Sequence, residues 1–352
     1  MLEEVVKKSL FYIVIGVILP MCMYAKTMTD MVGREVILPE NINTVYAPSP
    51  YGTYILYALD PSMVGGLVMR IQDKDKPYLL KGVGELPVIG SIIGQGQTAN
   101  IETLLANKPD LILMWSSSTS GIGNANDKLE KIAIPYVYAI AESMYDYPKV
   151  FDFLGHVLQR EERGKILSNA TQKILDDITH VVSLVPEQER PKVYYSEEKD
   201  GLSTECHDSI HVEVLKILGD VNVHRCHTSN HKGYEKITME QVILYNPDVI
   251  ITQDESFMDT VYTLPVWQHI KAVRARRVYL IPTTPFNWFD RPPSFMRFLG
   301  LQWLANILYP AQYPIDIQEE TKKFYTLFMG MSLDKQALHV ILPPKSLTHK
   351  KE

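Results

Sequence analysis

Residues 100–113 and 238–251 carry the same local pattern twice. That repetition constrains the fold more than any other feature. The first copy reads Asn100-Ile101-Glu102-Thr103-Leu104-Leu105-Ala106-Asn107-Lys108-Pro109-Asp110, then the apolar run Leu111-Ile112-Leu113. The second reads Thr238-Met239-Glu240-Gln241-Val242-Ile243-Leu244-Tyr245-Asn246-Pro247-Asp248, then Val249-Ile250-Ile251. Asn100 and Thr238 are helix-capping types. Ile101, Leu104 and Leu105 share one helical face, as do Met239, Val242 and Ile243. Glu102 and Glu240 stand in the first turn, where the helix dipole favours a carboxylate. A Pro-Asp turn then launches a run suited to a buried parallel strand.

The echo extends outward. Val45-Tyr46 leading to residues 56–59 parallels Val193-Tyr194 leading to residues 215–218, and residues 134–140 parallel residues 276–281. Each half therefore runs strand, helix, strand, helix, strand. That order predicts α/β architecture, in two lobes with parallel sheets. Two copies are too few for a solenoid. Between them, residues 147–185 show helical spacing and predict one or two long helices, so that a bridging helix over 159–188 joins the lobes stiffly. The expected layout is an N-terminal lobe at 26–158, a C-terminal lobe at 189–340 and a tail at 341–352. Gly33 predicts a turn inside a short hairpin.

The whole chain of 352 residues is 46% hydrophobic and 22% charged, which is globular composition. Its net charge of -6 gives no basic excess for nucleic acid. Three cysteines are too few for a disulfide scaffold. Residues 10–25 are uncharged and mostly apolar, follow Lys7 and Lys8, and end at Ala25. A basic patch, a short apolar core and a terminal small residue describe a cleaved export signal at 1–25. Glu3 and Glu4 offset the lysines, and cleavage before Cys22 as a lipoprotein, or retention as an anchor, are the competing readings.

In this order along the chain, the pieces resemble the metal-chelate branch of bacterial periplasmic solute-binding proteins of ABC importers. They are Gly33-Arg34-Glu35-Val36, the two Glu-containing Pro-Asp segments, and Ser209-Ile210-His211-Val212-Glu213 running to Gly219-Asp220-Val221-Asn222-Val223. Trp288-Phe289-Asp290-Arg291-Pro292-Pro293-Ser294 and residues 299–310 complete the set. The resemblance spans roughly residues 28–340. It implies two lobes with ligand in the cleft between them, a periplasmic location, and one glutamate per lobe docking on the membrane permease. Glu102 and Glu240 occupy those positions. It also implies a small-molecule metal chelate as bound ligand, from a family that serves iron-siderophores, haem, cobalamin, molybdate and nickel chelates, with no intrinsic cofactor. The histidine-rich segment at 206–231 points to nickel or an iron chelate. The protein is expected to act as a monomer.

Ligands of α/β lobes bind outside the carboxyl ends of strands. That rule selects the loops at 48–51, 69–70, 115–123, 195–209, 253–257 and 282–294. Within them, Trp115, Trp288, Arg70 and Arg291 suit a planar or anionic chelate by stacking and bidentate hydrogen bonding. Tyr145 and Tyr195 lie near the same loops and offer phenol oxygens. Trp267 and Trp303 sit in helical patterns and are expected in the core.

Cys206, His207, His211, His224, Cys226, His227 and His231 fall between residues 206 and 231. Imidazole and thiolate suit nickel, zinc and copper. His207 and His211 are four apart, so a helix would face both one way. His207, His211 and His227 are the expected metal ligands. A Cys206–Cys226 disulfide and plain solvated histidines are the other readings, and a disulfide can coexist with a histidine site. No Gly-x-Ser-x-Gly, Gly-x4-Gly-Lys or His-Glu-x-x-His motif is present. An exported metal-dependent hydrolase using Glu205 or Asp208, and a metallochaperone using residues 206–231, remain as alternatives to a binding protein.

Overall fold

The computed structural model describes residues 26–92, 98–116, 126–127, 129–227 and 234–347. The expected export signal at 1–25, most of the loop at 115–123, His231 and residues 348–352 lie outside them.

A hairpin opens the described chain. Strand β1 (Lys26–Thr29) pairs antiparallel with β2 (Glu35–Leu38) around Gly33 at φ +84°. The Asp30 carboxylate pins the turn, accepting from the Val32 and Arg34 amides and from the Arg34 guanidinium. The first lobe then follows as β3 (Val45–Tyr46), α1 (Pro50–Leu59), α2 (Ile101–Asn107), β4 (Leu111–Ser116) and β5 (Tyr136–Ile140). Two helices come next, α3 (Tyr147–Val157) and α4 (Glu161–Ser183). The second lobe contains β6 (Val193–Ser196), β7 (Ser203–Thr204), α5 (Glu213–Ile217), β8 (Glu235–Lys236), α6 (Met239–Tyr245), β9 (Val249–Thr252) and β10 (Val278–Leu280), followed by α7 (Arg297–Leu308).

The repeat is a topological one. Each lobe holds a three-stranded parallel sheet, ordered β3-β4-β5 in the first and β6-β9-β10 in the second. Val45 stands opposite Leu111, and Val193 opposite Val249. A single parallel bridge extends each sheet on the same side, at Val64 and at Asn222. Asn100 and Thr238 cap their helices by accepting from the Thr103 and Gln241 amides. Both helices end on a left-handed residue, Lys108 at φ 43° and Asn246 at φ 41°. Asp110 and Asp248 do more than turn the chain. Asp110 accepts from the Asn43 and Thr44 amides, and Asp248 from the Lys192 amide, so each carboxylate ties down the entry to the adjacent strand.

The bridging helix α4 packs along α3 through two glycines. A Cβ on Gly164 would come within 2.8 Å of the Gly155 Cα and 2.6 Å of the Phe151 carbonyl oxygen, so only glycine allows this approach. The chain after α7 packs against both lobes, and Phe324 and Phe328 stack on Phe295 at 6.2 and 5.5 Å. Phe324 and Phe328 stack at 4.2 Å, and Phe328 meets Phe151 of α3 at 6.2 Å. The Tyr57 hydroxyl of α1 donates to the Met329 carbonyl at 3.1 Å. The segment after α7 thus bridges the two lobes. Residues 341–347, read as a tail, are anchored too, because the buried Trp303 indole donates to the Ser346 carbonyl at 2.7 Å. Trp267 and Trp303 both lie in the core, as expected.

Helix α7 presses its Gly300 against the 282–294 loop. A Cβ there would collide with the Trp288 carbonyl oxygen. Gly300→Ala is expected to lower stability by about 3 kcal/mol through overpacking. A shift in the urea midpoint at unchanged slope is the measurement that checks it.

Candidate functional site

The two lobes meet over a cavity of about 270 Å³. Tyr54, Arg70, Gln72, Lys74 and Asp75 line it from the first lobe, and Phe286, Asn287, Arg291 and Pro292 from the second. A larger hollow of about 580 Å³ lies elsewhere, between residues 187–192, 219–225 and 244–245. Its lining comes from the second lobe and includes residues 190–192, which enter β6 from its amino end. Strand-end geometry therefore favours the smaller cavity as the ligand site. Tyr54 stacks on Phe286 at 3.9 Å and forms an aromatic wall shared by both lobes.

Arg291 is the electrostatic centre of the second wall. Its Nε donates to Glu197 at 2.6 Å, its Nη2 to Glu205, and Asp290 lies 3.4 Å from Nε. Its guanidinium also rests 4.1 Å from the centre of the Tyr234 ring. Burial opposes its charge, but the Glu197 hydrogen bond together with the charges of Glu197 and Asp290 outweighs that, and the pKa is raised above the ordinary arginine value. Arg291 has φ 50°, which costs a non-glycine residue about 1–3 kcal/mol, so the carboxylates hold it against backbone strain. Glu197 is pushed up to about 7 by burial, against the lowering effect of Arg291. His211 is hydrogen-bonded to Asp290 at 2.8 Å. Burial pulls its pKa down, but the hydrogen bond and charge of Asp290, with the charge of Glu205, together outweigh burial and leave it above the ordinary histidine value.

A second buried ion pair joins the lobes beside the cavity. Glu213 accepts from the Met144 amide at 2.6 Å and from the Arg297 guanidinium at 2.7 Å. Arg297 in turn faces the Tyr147 ring at 5.9 Å. The contact ties the start of α3 to α5 and α7.

The structure divides the residues expected at the site. Arg70 and Arg291 come together at the cavity, on opposite walls. Arg70 is largely exposed and pairs weakly with Asp73 at 3.3 Å. Tyr145 is about half exposed, in the turn between β5 and α3. Trp115 is 7% exposed and packs on Tyr147, while Trp288 and Tyr195 are fully buried. β6 is buried on both faces, so the end of that strand does not turn Tyr195 towards solvent. Burial also raises the Tyr195 hydroxyl well above the ordinary phenol range.

His207, His211 and His227 do not form one centre. Ser209 starts a tight turn at Ile210–Val212 instead of a long helix, so the spacing of four does not align His207 with His211. His211 belongs to the Asp290–Arg291 group. His207 and His227 pair separately, with ring centres 6.1 Å apart. Cys206 and Cys226 are joined by a disulfide. Glu205, considered as a hydrolytic base, is engaged by Arg291, the Ser209 hydroxyl and the Tyr234 amide.

Glu102 and Glu240 are exposed in the first turns of α2 and α6. Its own backbone amide and the Thr238 hydroxyl keep the Glu240 carboxyl below its usual range. Leu105 and Ile243, at equivalent places on the two helices, are 47% and 44% exposed. Each lobe thus presents a carboxylate beside an apolar side chain.

Lys74, Glu197, Gln72 and Asp75 were not singled out by sequence pattern. They stand in no recognisable motif, and only folding brings Glu197 to Arg291, 94 residues away.

Comparison with known proteins agrees with this architecture. Residues 72–285 match the family model described as periplasmic binding protein. The solved structure of an ABC transporter solute binding protein from Sulfurospirillum deleyianum is 39% identical, with a TM-score of 0.82 over 90% of this chain and 99% of that one. The molybdate-binding protein MolA of Haemophilus influenzae is 24% identical over 336 residues, 87% of this chain and 92% of that protein. The Fe(3+)-citrate-binding protein YfmC of Bacillus subtilis is 24% identical over 213 residues, 59% of this chain and 65% of that protein. Among the described residues no helix is long and apolar enough to cross a membrane. With its paired parallel sheets, bridging helix and interlobe cavity, the chain belongs to the periplasmic binding protein family, as a solute-binding component of an ABC transporter.

Proposed function

We propose that the protein captures an anionic metal complex, an iron or nickel chelate, and delivers it to a membrane permease. The observation that carries this reading is the placement of Arg70, Lys74 and Arg291 around one interlobe cavity. Arg291 keeps guanidinium donors that its carboxylate neighbours do not use, and a planar fork suits carboxylate or catecholate oxygens. The Tyr54–Phe286 wall offers an apolar face to the body of a chelator. His211, hydrogen-bonded to Asp290 beside Arg291 in sequence, adds positive charge to this wall when protonated. Citrate-bound iron and molybdate, the ligands in the names of two relatives, are both anionic. Molybdate itself is the second reading, because it needs only the cationic wall. Glu102 and Glu240 then orient the loaded protein on basic permease residues.

Calorimetric titration with nickel plus free histidine, ferric citrate, a ferric catecholate, molybdate, haem and cobalamin tests the proposal. At least one anionic metal complex should bind with Kd below about 10 µM, a strength suited to specific capture. Binding of none of them at that level contradicts the reading.

Affinity should also depend on pH in a fixed direction. Glu197, with a pKa of about 7, gains a proton as pH falls from 8 to 6, which removes a negative charge beside Arg291. His211, whose pKa is raised, gains positive charge over the same range. Glu205, Asp290 and Tyr234 complete the surrounding groups. Anion affinity should therefore rise by roughly tenfold towards pH 6, about one pKa unit of differential interaction. A ligand whose own charge is constant in that window makes the comparison, and Glu197→Gln should flatten most of the slope.

A further inference from the structure

Two short segments lie side by side behind the Arg291 wall. The His207 amide donates to the His224 carbonyl at 3.0 Å, and the Asn222 side chain donates to the Glu205 carbonyl at 3.0 Å. Each segment contributes one cysteine and at least one histidine. Cys206 and Cys226 form the cystine, and a ring nitrogen of His224 lies with both sulfurs inside a 4.8 Å cluster. His224 and Cys226 are two apart, so an extended chain presents them on one side. The Tyr245 hydroxyl sits 2.7 Å from His224 Nδ1 and fixes the ring. Among the described residues, His207 Nδ1 is buried without a hydrogen-bond partner.

We infer that the Cys206–Cys226 cystine masks a thiolate–imidazole metal site. On reduction, Cys206, Cys226 and His224 bind a soft or borderline ion, zinc(II) or copper(I), with His207 or His227 as the fourth ligand. This site is separate from the chelate cavity and independent of the ligand proposed there. Tetrahedral zinc with sulfur ligands at about 2.3 Å places its donors roughly 3–4 Å apart, so on reduction the two sulfurs part from their bonded distance while His224 already lies within 4.8 Å of both. The Tyr245 contact is the outer-shell hydrogen bond that a ligating histidine uses to hold its orientation.

The chemistry balances with a dithiol as reductant. The cystine takes two electrons and two protons by thiol–disulfide exchange, and the dithiol leaves as its own disulfide. A divalent ion then displaces the two thiol protons and binds the thiolates. Cystine and metal are thus alternative clamps on the same two segments. Either one braces the backbone next to Glu205, the carboxylate that holds Arg291.

Cobalt(II) is the probe. The full-length mature chain is reduced anaerobically with dithiothreitol, freed of reductant, and titrated with cobalt(II), then with zinc(II). The reduced protein should keep its circular dichroism spectrum and bind one cobalt, with thiolate-to-cobalt charge-transfer and tetrahedral ligand-field bands that zinc abolishes. The oxidised protein should show neither band. Cys206→Ser/Cys226→Ser should lose both bands while remaining folded, and His224→Ala should lose the tetrahedral intensity. Tyr245→Phe should keep the bands but weaken zinc binding by roughly 10–100-fold. Absence of thiolate bands in folded reduced protein overturns the proposal. So does unfolding on reduction that zinc fails to reverse, or a tetrahedral spectrum that survives in His224→Ala.

Discussion

Replacing Arg291 by alanine is expected to destabilise the protein by about 3–5 kcal/mol and to abolish capture of an anionic chelate. The stability effect follows from what the guanidinium leaves behind. Glu197 and Asp290 are buried, Glu205 is 1% exposed, and all three face Arg291. Without it, three carboxylates share one desolvated site and must take up protons or admit water. Breaking a buried charge network on one side costs far more than the intact network contributes. The compensating variant separates folding from binding. Arg291→Ala with Glu197→Gln and Glu205→Gln should recover most of the urea midpoint, because two of the three orphaned charges are gone and Asp290 keeps His211. It should still fail to bind the chelate. Recovery of affinity in that triple variant would show that Arg291 only neutralises its neighbours.

The second large effect lies at the other end of the transport cycle. Glu102→Ala/Glu240→Ala should leave ligand affinity unchanged and abolish permease-dependent uptake. Each carboxylate is exposed and makes no contact with the cavity, so neither holds ligand. Losing one charged partner across a basic interface costs about 2 kcal/mol, roughly thirtyfold in affinity, and under the proposed docking the two glutamates act together on one membrane partner. The single variants should each retain partial uptake. Uptake into proteoliposomes carrying the permease, measured beside calorimetric Kd values, gives both readouts. A double variant that loses chelate binding removes the docking role.

The repeat was legible because its signals are local. A capping side chain, first-turn carboxylates, apolar positions on one helical face and a Pro-Asp turn each act within a few residues, and both lobes fold on them. Even there, the carboxylates of Asp110 and Asp248 perform a longer-range task that the turn pattern did not reveal, since their partners lie 67 and 56 residues away. The site was less legible for the same reason. Arg70 and Arg291 were reachable through the strand-end rule, which selects loops. That rule does not say which side chains of a loop face inward, so it also selected Trp288 and Tyr195, which the core absorbs. The histidines were misaligned because Ser209 begins a turn where a spacing of four assumes a helix. The carboxylates around Arg291 carry no local signature, because burial and charge pairing are properties of the assembled lobe.

The location of the bound metal tests the central claim most directly. Crystals grown with the tightest-binding anionic chelate, with data collected at the absorption edge of its metal, give that position without reference to any variant. The account predicts one strong anomalous peak in the interlobe cavity, between the segment at 70–75 and the loop at 283–292, with ligand oxygens on the Arg291 guanidinium. A fully occupied peak outside that cavity, with the cavity itself empty, would contradict it.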